Sequence, residues 1–272
     1  MQAFVQSVSV WGPGLQGWAA SRPILAGLQA HVSGEASPPL STLLSATERR
    51  RTGLAARLAL TVAQQASEMA GIAPGAIASV FATANGDGAV VHSILEALAG
   101  EQPVSPTLFH NSVHNTAAGY WSITTGSQQS TNCIACHDAT AAAALLKAVA
   151  EVETERRPVL LCVYDVPFPA PLDASRPTGE SFGAGFVLTP ERSRDALAHL
   201  AIRYDGTSPA PSSEAPRLPS LRELARGNPA ARLLRLLETL ALAVADEFSM
   251  ALLEGQVEVS VRPCLAARAS SN

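Results

Sequence analysis

The sequence predicts an α/β fold whose sheet is covered by helices on both faces, and three observations predict it. Strand-like and helix-like segments alternate along the 272 residues. The strand-like segments 77–82 (IASVFA) and 158–163 (PVLLCV) are apolar without alternation, as strands buried on both faces are. Apolar types make up 47% of the chain and charged types 15%, so much of it is interior. That balance excludes an intrinsically disordered chain, which needs high charge and low hydrophobicity. Nineteen Lys+Arg against 23 Asp+Glu give a net charge of −4, no excess with which to neutralise a phosphate backbone, so nucleic acid is excluded as a partner.

Segment 4–11 (FVQSVSVW) alternates, is β-branched and ends at Gly12-Pro13-Gly14, which reads as an opening strand. Residues 38–44 read as a loop. Ser45 and Glu48 form an S-x-x-E capping pattern ahead of one helix from 47 to 70, with Leu54, Leu58, Val62, Ala66 and Met69 on one stripe. After the strand at 77–82, Asn85-Gly86-Asp87-Gly88 is a sharp turn into a helix at 89–99, stopped by Gly100 and Pro103. A polar loop leads to a short helix at 117–124, and an alanine-packed helix covers 138–153. Beyond the strand at 158–163, segments 181–188 and 197–204 are further strands. Residues 207–220 are rich in Ser, Pro and Ala and read as a tether; 221–253 returns to helix and 257–261 (VEVSV) closes as a strand.

No basic leader with a long apolar run opens the chain, and no stretch reaches the roughly 18 apolar residues that span a bilayer. A cytoplasmic location without membrane insertion is therefore expected, and with it four thiols (Cys133, Cys136, Cys162, Cys264) rather than a disulfide framework.

Asn115-Thr116-Ala117-Ala118-Gly119, Ser122-Ile123 and Gly126 resemble the N-x-A-A-G-x-x-S-I-x-x-G block of β-ketoacyl synthases. Gly183-Ala184-Gly185 with Phe186-Val187-Leu188 resembles that family's G-A-G strand, and 4–14 its opening strand and glycine turn. A closer resemblance is to the short chain length factors of aryl polyene clusters, through Glu48-Arg49-Arg50, the run from His110 to Ile123, and Asn228 to Arg232. The resemblance implies a β-ketoacyl synthase-like N-terminal, thiolase-like half over 1–206: a mixed sheet with helices on both faces. Residues 207–220 then form a loop, and 221–272 a C-terminal helix–strand extension packing on the same domain.

In that family a cysteine thiolate holds the growing acyl chain as a thioester, and two histidines supply N–H donors to the enolate and oxyanion. Gapless counting from Asn115, or back from Val159, puts the nucleophile position at Asp138. A carboxylate makes no stable thioester carrier. Cys136 stands two residues away and would need a local bulge to fill the slot; His137 lies between. His199 is the only histidine after residue 137, and the segment holding the family's histidines is largely missing. The implied role is a non-catalytic subunit that pairs with an active β-ketoacyl synthase, walls the acyl tunnel and so limits product length by sterics. Asn115, Gly119, Ser130, Asn132 and Cys133 are the implied interface, with 127–136 as an edge strand pairing across the dimer axis. An acyl carrier protein is a further implied partner; Arg49-Arg50-Arg51 read either as a solvated helix start or as the face that meets it.

Competing readings of the same residues differ in chemistry. Cys136 as the nucleophile would make a divergent condensing enzyme or acyltransferase, and a bare carrier-protein dock is a third class. Cys133-Ile134-Ala135-Cys136-His137 also fits a haem-attachment or thiol–disulfide pattern, against two small buried cysteines at a strand end. His110 and His114 read as loop-bonding residues in preference to metal ligands, since no third ligand is close in sequence. Asn85-Gly86-Asp87-Gly88 lacks the spacing of a calcium or phosphate loop. Asp138 itself is accounted for by its place at a helix start, where capping and the helix dipole favour a carboxylate. No cofactor or metal is implied.

Overall fold

The computed structural model describes residues 1–34, 41–207 and 213–264. Residues 38–40 of the expected first loop, 208–212 of the tether and 265–272 of the extension lie outside the described residues.

Strand β1 (Gln2–Gly12) turns through β2 (Leu15–Gln16) into helix α1 (Trp18–Leu25). Next come α2 (Ala46–Arg51), α3 (Leu54–Ala70), β3 (Ala78–Ala82) and α4 (Gly88–Ala99). Helices α5 (Pro106–Asn111) and α6 (Thr116–Thr125) lead to β4 (Thr131–Ile134) and α7 (Thr140–Glu155). The chain continues as β5 (Val159–Asp165), β6 (Phe182–Thr189), β7 (Ala198–Asp205), α8 (Arg222–Gly227) and α9 (Leu234–Leu242). It ends in the hairpin β8 (Asp246–Leu252) and β9 (Gly255–Pro263).

All strands join one mixed sheet in the order β4-β3-β5-β6-β1-β7-β9-β8, with β2 beside β1. The pairs β3–β4 and β3–β5 are parallel and the others antiparallel. Strand β5 shows why the apolar runs lack alternation. Leu160, Cys162 and Tyr164 enter a core built with α3 and α6, whereas Val159, Leu161 and Val163 enter the opposite core with α7 and α9. Period-two side chains thus reach two dry layers, and every residue of β5 is buried.

Helix α3 sits close on β1 and β6. The hydroxyl of Ser9 donates to the Val62 carbonyl at 2.5 Å and that of Ser7 to the Ala66 carbonyl at 2.6 Å. A Cβ on Gly185 would lie 2.6 Å from both Ser9 Oγ and the Val62 carbonyl oxygen, so the G-A-G strand is small because a helix backbone rests on it. On the other face α7 uses Ala141, Ala142, Ala144, Leu145 and Ala148 for an equally close fit.

Six expectations are corrected. The edge strand expected over 127–136 is β4 at Thr131–Ile134 alone, because the Ser127 amide still donates to the Ser122 carbonyl of α6 and the Cys136 amide donates to the Thr140 hydroxyl. The helix expected over 221–253 is broken between α8 and α9, where Asn228 is extended. The helix expected over 47–70 is two helices, because Thr52 and Gly53 are extended. The Ser45–Glu48 capping box starts α2, and at the break the Asp87 carboxylate comes so near Gly53 that a Cβ there would sit 1.8 Å from Asp87 Oδ2. The polar loop before α6 contains α5, which opens on Pro106 at a first-turn position that tolerates proline. Helix α7 begins at Thr140, two residues after the expected start, and runs on to Glu155. Residues 246–252, expected as helix, form β8: Phe248, Met250 and Leu252 are buried while Glu247 is exposed, a strand alternation that prevails once Ala243, in the left-handed region, ends α9.

Candidate functional site

Parallel strands β3, β4 and β5 end together, and the residues just beyond them form the site. β4 stops at Ile134, and the turn 135–139 carries Cys136, His137 and Asp138 to the start of α7. His137 takes a left-handed φ of 48°, and Cys136 bridges to Asp138 across it. Thr140 fixes this turn: its hydroxyl accepts from the Cys136 amide at 2.9 Å and donates to the His137 carbonyl at 2.6 Å.

Asp138 is bound by cations. Its Oδ1 lies 2.7 Å from Arg176 Nη2 and 3.6 Å from His137 Nδ1, and its Oδ2 lies 3.7 Å from Arg232 Nη2. Partial burial raises its pKa, but the hydrogen bond and charge of Arg176, then the charges of Arg232 and His137, outweigh this and hold the carboxyl below the ordinary carboxylate value. Asp138 is therefore an ionised, ion-paired group at neutral pH.

A second carboxylate supports the first from below. Asp165, at the end of β5, accepts at Oδ1 from the Thr83 hydroxyl (2.7 Å) and from the amides of Ala84 (2.8 Å) and Asn85 (3.1 Å). Its Oδ2 is buried without a hydrogen-bond partner among the described residues. Burial pushes its pKa up to about 6 against the opposing hydrogen bonds of Thr83, Asn85 and Ala84 and the charge of Arg176. Asn85 in turn accepts from Arg176 Nε at 3.0 Å and donates to Thr178 Oγ1 at 2.8 Å. One polar chain thus runs from the buried Asp165 through Asn85 and Arg176 to Asp138.

The other residues singled out in the sequence separate. Cys133 packs into the α3–α6 core, where burial raises its thiol pKa, and Cys136 packs against the opposite core. Both are free thiols, and three positions apart along extended chain they face opposite sides of the sheet. His199 lies on β7 against Phe4, with rings 5.1 Å apart, and approaches Gln2 rather than the turn. His110 meets Tyr120 edge-on, and His114 Nε2 lies 3.2 Å from the Thr83 carbonyl oxygen. No group of three or more His, Cys, Asp or Glu that could hold a metal occurs among the described residues, and no helix there is long and apolar enough to cross a membrane.

The sheet edge at β4 has its own anchorage. Ser130 Oγ donates to Glu151 Oε1 at 3.0 Å and Asn132 Nδ2 to Oε2 at 3.2 Å, while Lys147 (2.5 Å) and Arg157 (3.4 Å) neutralise the same buried carboxylate. The Ser130 and Ile134 carbonyls accept from Ser79 and Thr83 of the β3 side. By strand periodicity, Thr131 and Cys133 direct their main-chain groups to the open side. Asn115 is exposed and Gly119 half-buried, with open space where a Cβ would be.

Arg176 and Asp165 escape sequence reading: each stands in a segment without a motif, and only folding brings them to residues 80 or more positions away, as with Thr83 and Asn85. Arg232, within the Asn228 to Arg232 segment, had a sequence signal but no visible partner.

The model for the β-ketoacyl synthase N-terminal domain matches residues 25–226. No curated protein matches the chain. Among solved structures, a ketosynthase (ApeO) in complex with its chain length factor (ApeC) from Xenorhabdus doucetiae is similar at 17% identity and TM-score 0.71, covering 96% of this chain and 99% of that one. The ishigamide ketosynthase/chain length factor is similar at 15% identity and TM-score 0.67, covering 96% and 99%. A β-ketoacyl synthase from Burkholderia phymatum STM815 is similar at 11% identity and TM-score 0.66, covering 97% and 99%.

Proposed function

The chain belongs to the β-ketoacyl synthase family through its N-terminal domain and has that family's thiolase-like α/β fold, and from this premise we propose that it is a non-catalytic subunit of the chain length factor kind. It pairs with an active β-ketoacyl synthase and shapes the channel in which an acyl chain is elongated. Residues 1–206, the loop 207–220 and the extension 221–272 act as one unit in this reading, in keeping with the β7–β9 pairing that continues the sheet.

The observation that carries the proposal is the ion-paired carboxylate of Asp138 in the turn after β4. A carboxylate neutralised by two guanidinium groups has no nucleophilic thiol chemistry to offer, and the nearest thiol, Cys136, is packed against the core. Two further observations support a partner. Among the described residues strand β4 is an edge with strand neighbours on one side only, and edges of this kind call for cover. The segment joining β3 to β4 exposes Leu95 and Leu98 on α4, Phe109 on α5 and Ile123 on α6, a concentration of apolar side chains suited to an interface. An acyl carrier protein meeting the basic residues Arg49, Arg50 and Arg51 belongs to the same reading.

Co-expression with a candidate synthase tests it. The expected result is co-purification as a heterodimer and chain elongation that needs both chains. Thr131→Pro, which removes a donor from the open side of β4, should abolish co-purification while the chain stays folded. Elongation by the synthase alone at the same rate and product length would overturn the proposal.

A further inference from the structure

A cavity of about 260 Å³ opens between residues 214–216 and helix α8, lined by Glu214, Arg222, Ala225, Arg226 and Arg232. Arg222 and Arg226 stand one turn apart on the same face of α8. Arg222 is held in place by its Nε, which donates to the Pro216 carbonyl at 3.2 Å. Arg232 faces two carboxylates, Glu214 at 3.5 Å and Asp138 at 3.7 Å. Both separations exceed a normal hydrogen-bond length, so these contacts attract its charge while its donors stay available. Among the described residues no carboxylate forms an ion pair with Arg222 or Arg226. Three guanidinium groups against the two carboxylates Glu214 and Asp138, the latter shared with Arg176, leave the cavity positive in a chain whose net charge is −4. Like charges gathered in a concavity repel one another until an anion answers them, and planar guanidinium forks match the oxygens of a phosphate group.

We propose that this cavity is a binding site for a phosphate group, free or as a monoester, and that the bound phosphate competes with Asp138 for Arg232. The turn after β4 is thereby coupled to ligand occupancy: Asp138 keeps its contact with Arg176, while Arg232 swings between the internal carboxylate and the external anion. This inference does not rest on the synthase-partner reading, because it concerns the chain's own arginines.

Calorimetric titration of the full chain with inorganic phosphate and, separately, phenyl phosphate in chloride buffer tests it. Saturable binding of at least one is expected, weakened by added salt. Arg226→Ala, at an exposed position, should weaken it about tenfold, as loss of a charge-assisted contact does, with the melting temperature of the free chain unchanged. Asp138→Asn should tighten it, since Arg232 is then no longer shared. Tight binding of the ester assigns the site to monoesters, and tight binding of inorganic phosphate alone assigns it to the free ion. Absence of binding by both, or equal affinity in the wild type and Arg226→Ala, would overturn the site; equal affinity in Asp138→Asn would overturn the competition.

Discussion

The Asp138 carboxylate and the Arg176 guanidinium, 38 positions apart in the chain, meet at 2.7 Å at the start of α7. The pair puts a neutralised ion pair where the resemblance to condensing enzymes puts a reactive sulfur. Arg176 reaches this position because Asn85 holds its Nε, and Asn85 is fixed by the buried Asp165.

If the chain contributes shape and no bond-making group, Cys136→Ala leaves elongation by the heterodimer within about twofold of wild type, less than the effect of any group acting in the transition state. The rate of chain extension with purified partner and carrier protein is the measurement. A loss of a hundredfold or more would assign the thiol a chemical role.

Asp165 sets a pH dependence of stability with a definite sign. Its folded-state pKa of about 6 lies above the ordinary 3.8, so between these values the folded chain holds a proton that the unfolded chain has released. Its contribution is fully present below the lower value and lost as pH rises through about 6. Asp165→Asn, neutral throughout, should therefore gain stability over wild type as pH rises from 4 to 8, by up to about 3 kcal/mol. Urea unfolding across that range gives the difference. A difference constant with pH would refute the assignment. Asp246, held below the ordinary carboxylate value by Arg235, Thr239 and Arg217 despite its partial burial, acts with the opposite sign, its contribution being lost on the acid side.

Gly185→Ala drives a methyl group into the Val62 carbonyl and the Ser9 hydroxyl. Because one neighbour is helix backbone, relaxation is limited, and a loss of about 1–3 kcal/mol is expected. The midpoint of denaturant unfolding reports it. Ala184→Gly, at a position turned to the other core, serves as the comparison that should lack this clash.

Glu151→Gln removes the charge that Lys147 and Arg157 neutralise and weakens the anchorage of Ser130 and Asn132. Both cations are partly exposed, so the stability loss is set at about 1–3 kcal/mol rather than the value for a fully buried pair. If the β4 edge is the partner's seat, affinity for the synthase falls as well, measurable by surface plasmon resonance at a temperature where the variant is folded.

The sequence by itself determined the α/β class, the glycines of the G-A-G strand, the capping box of α2 and the strands β1, β3, β5, β6 and β7. Each of these depends on local periodicity or on a residue type with one conformational use. It also pointed to Asp138 as the position where the family resemblance expects a thiol. Only the tertiary structure decided that residues 246–252 extend the sheet and that α2 and α3 are separate, because a strand partner in β9 and the approach of Asp87 to Gly53 are long-range facts. It also decided that Ser130 and Asn132 turn their side chains to Glu151, leaving the backbone of β4 as the open surface. Arg176, Asp165 and Asn85 became a site in the same way: an ion pair or a buried carboxylate is a property of what folding brings alongside, and no spacing along the chain encodes it.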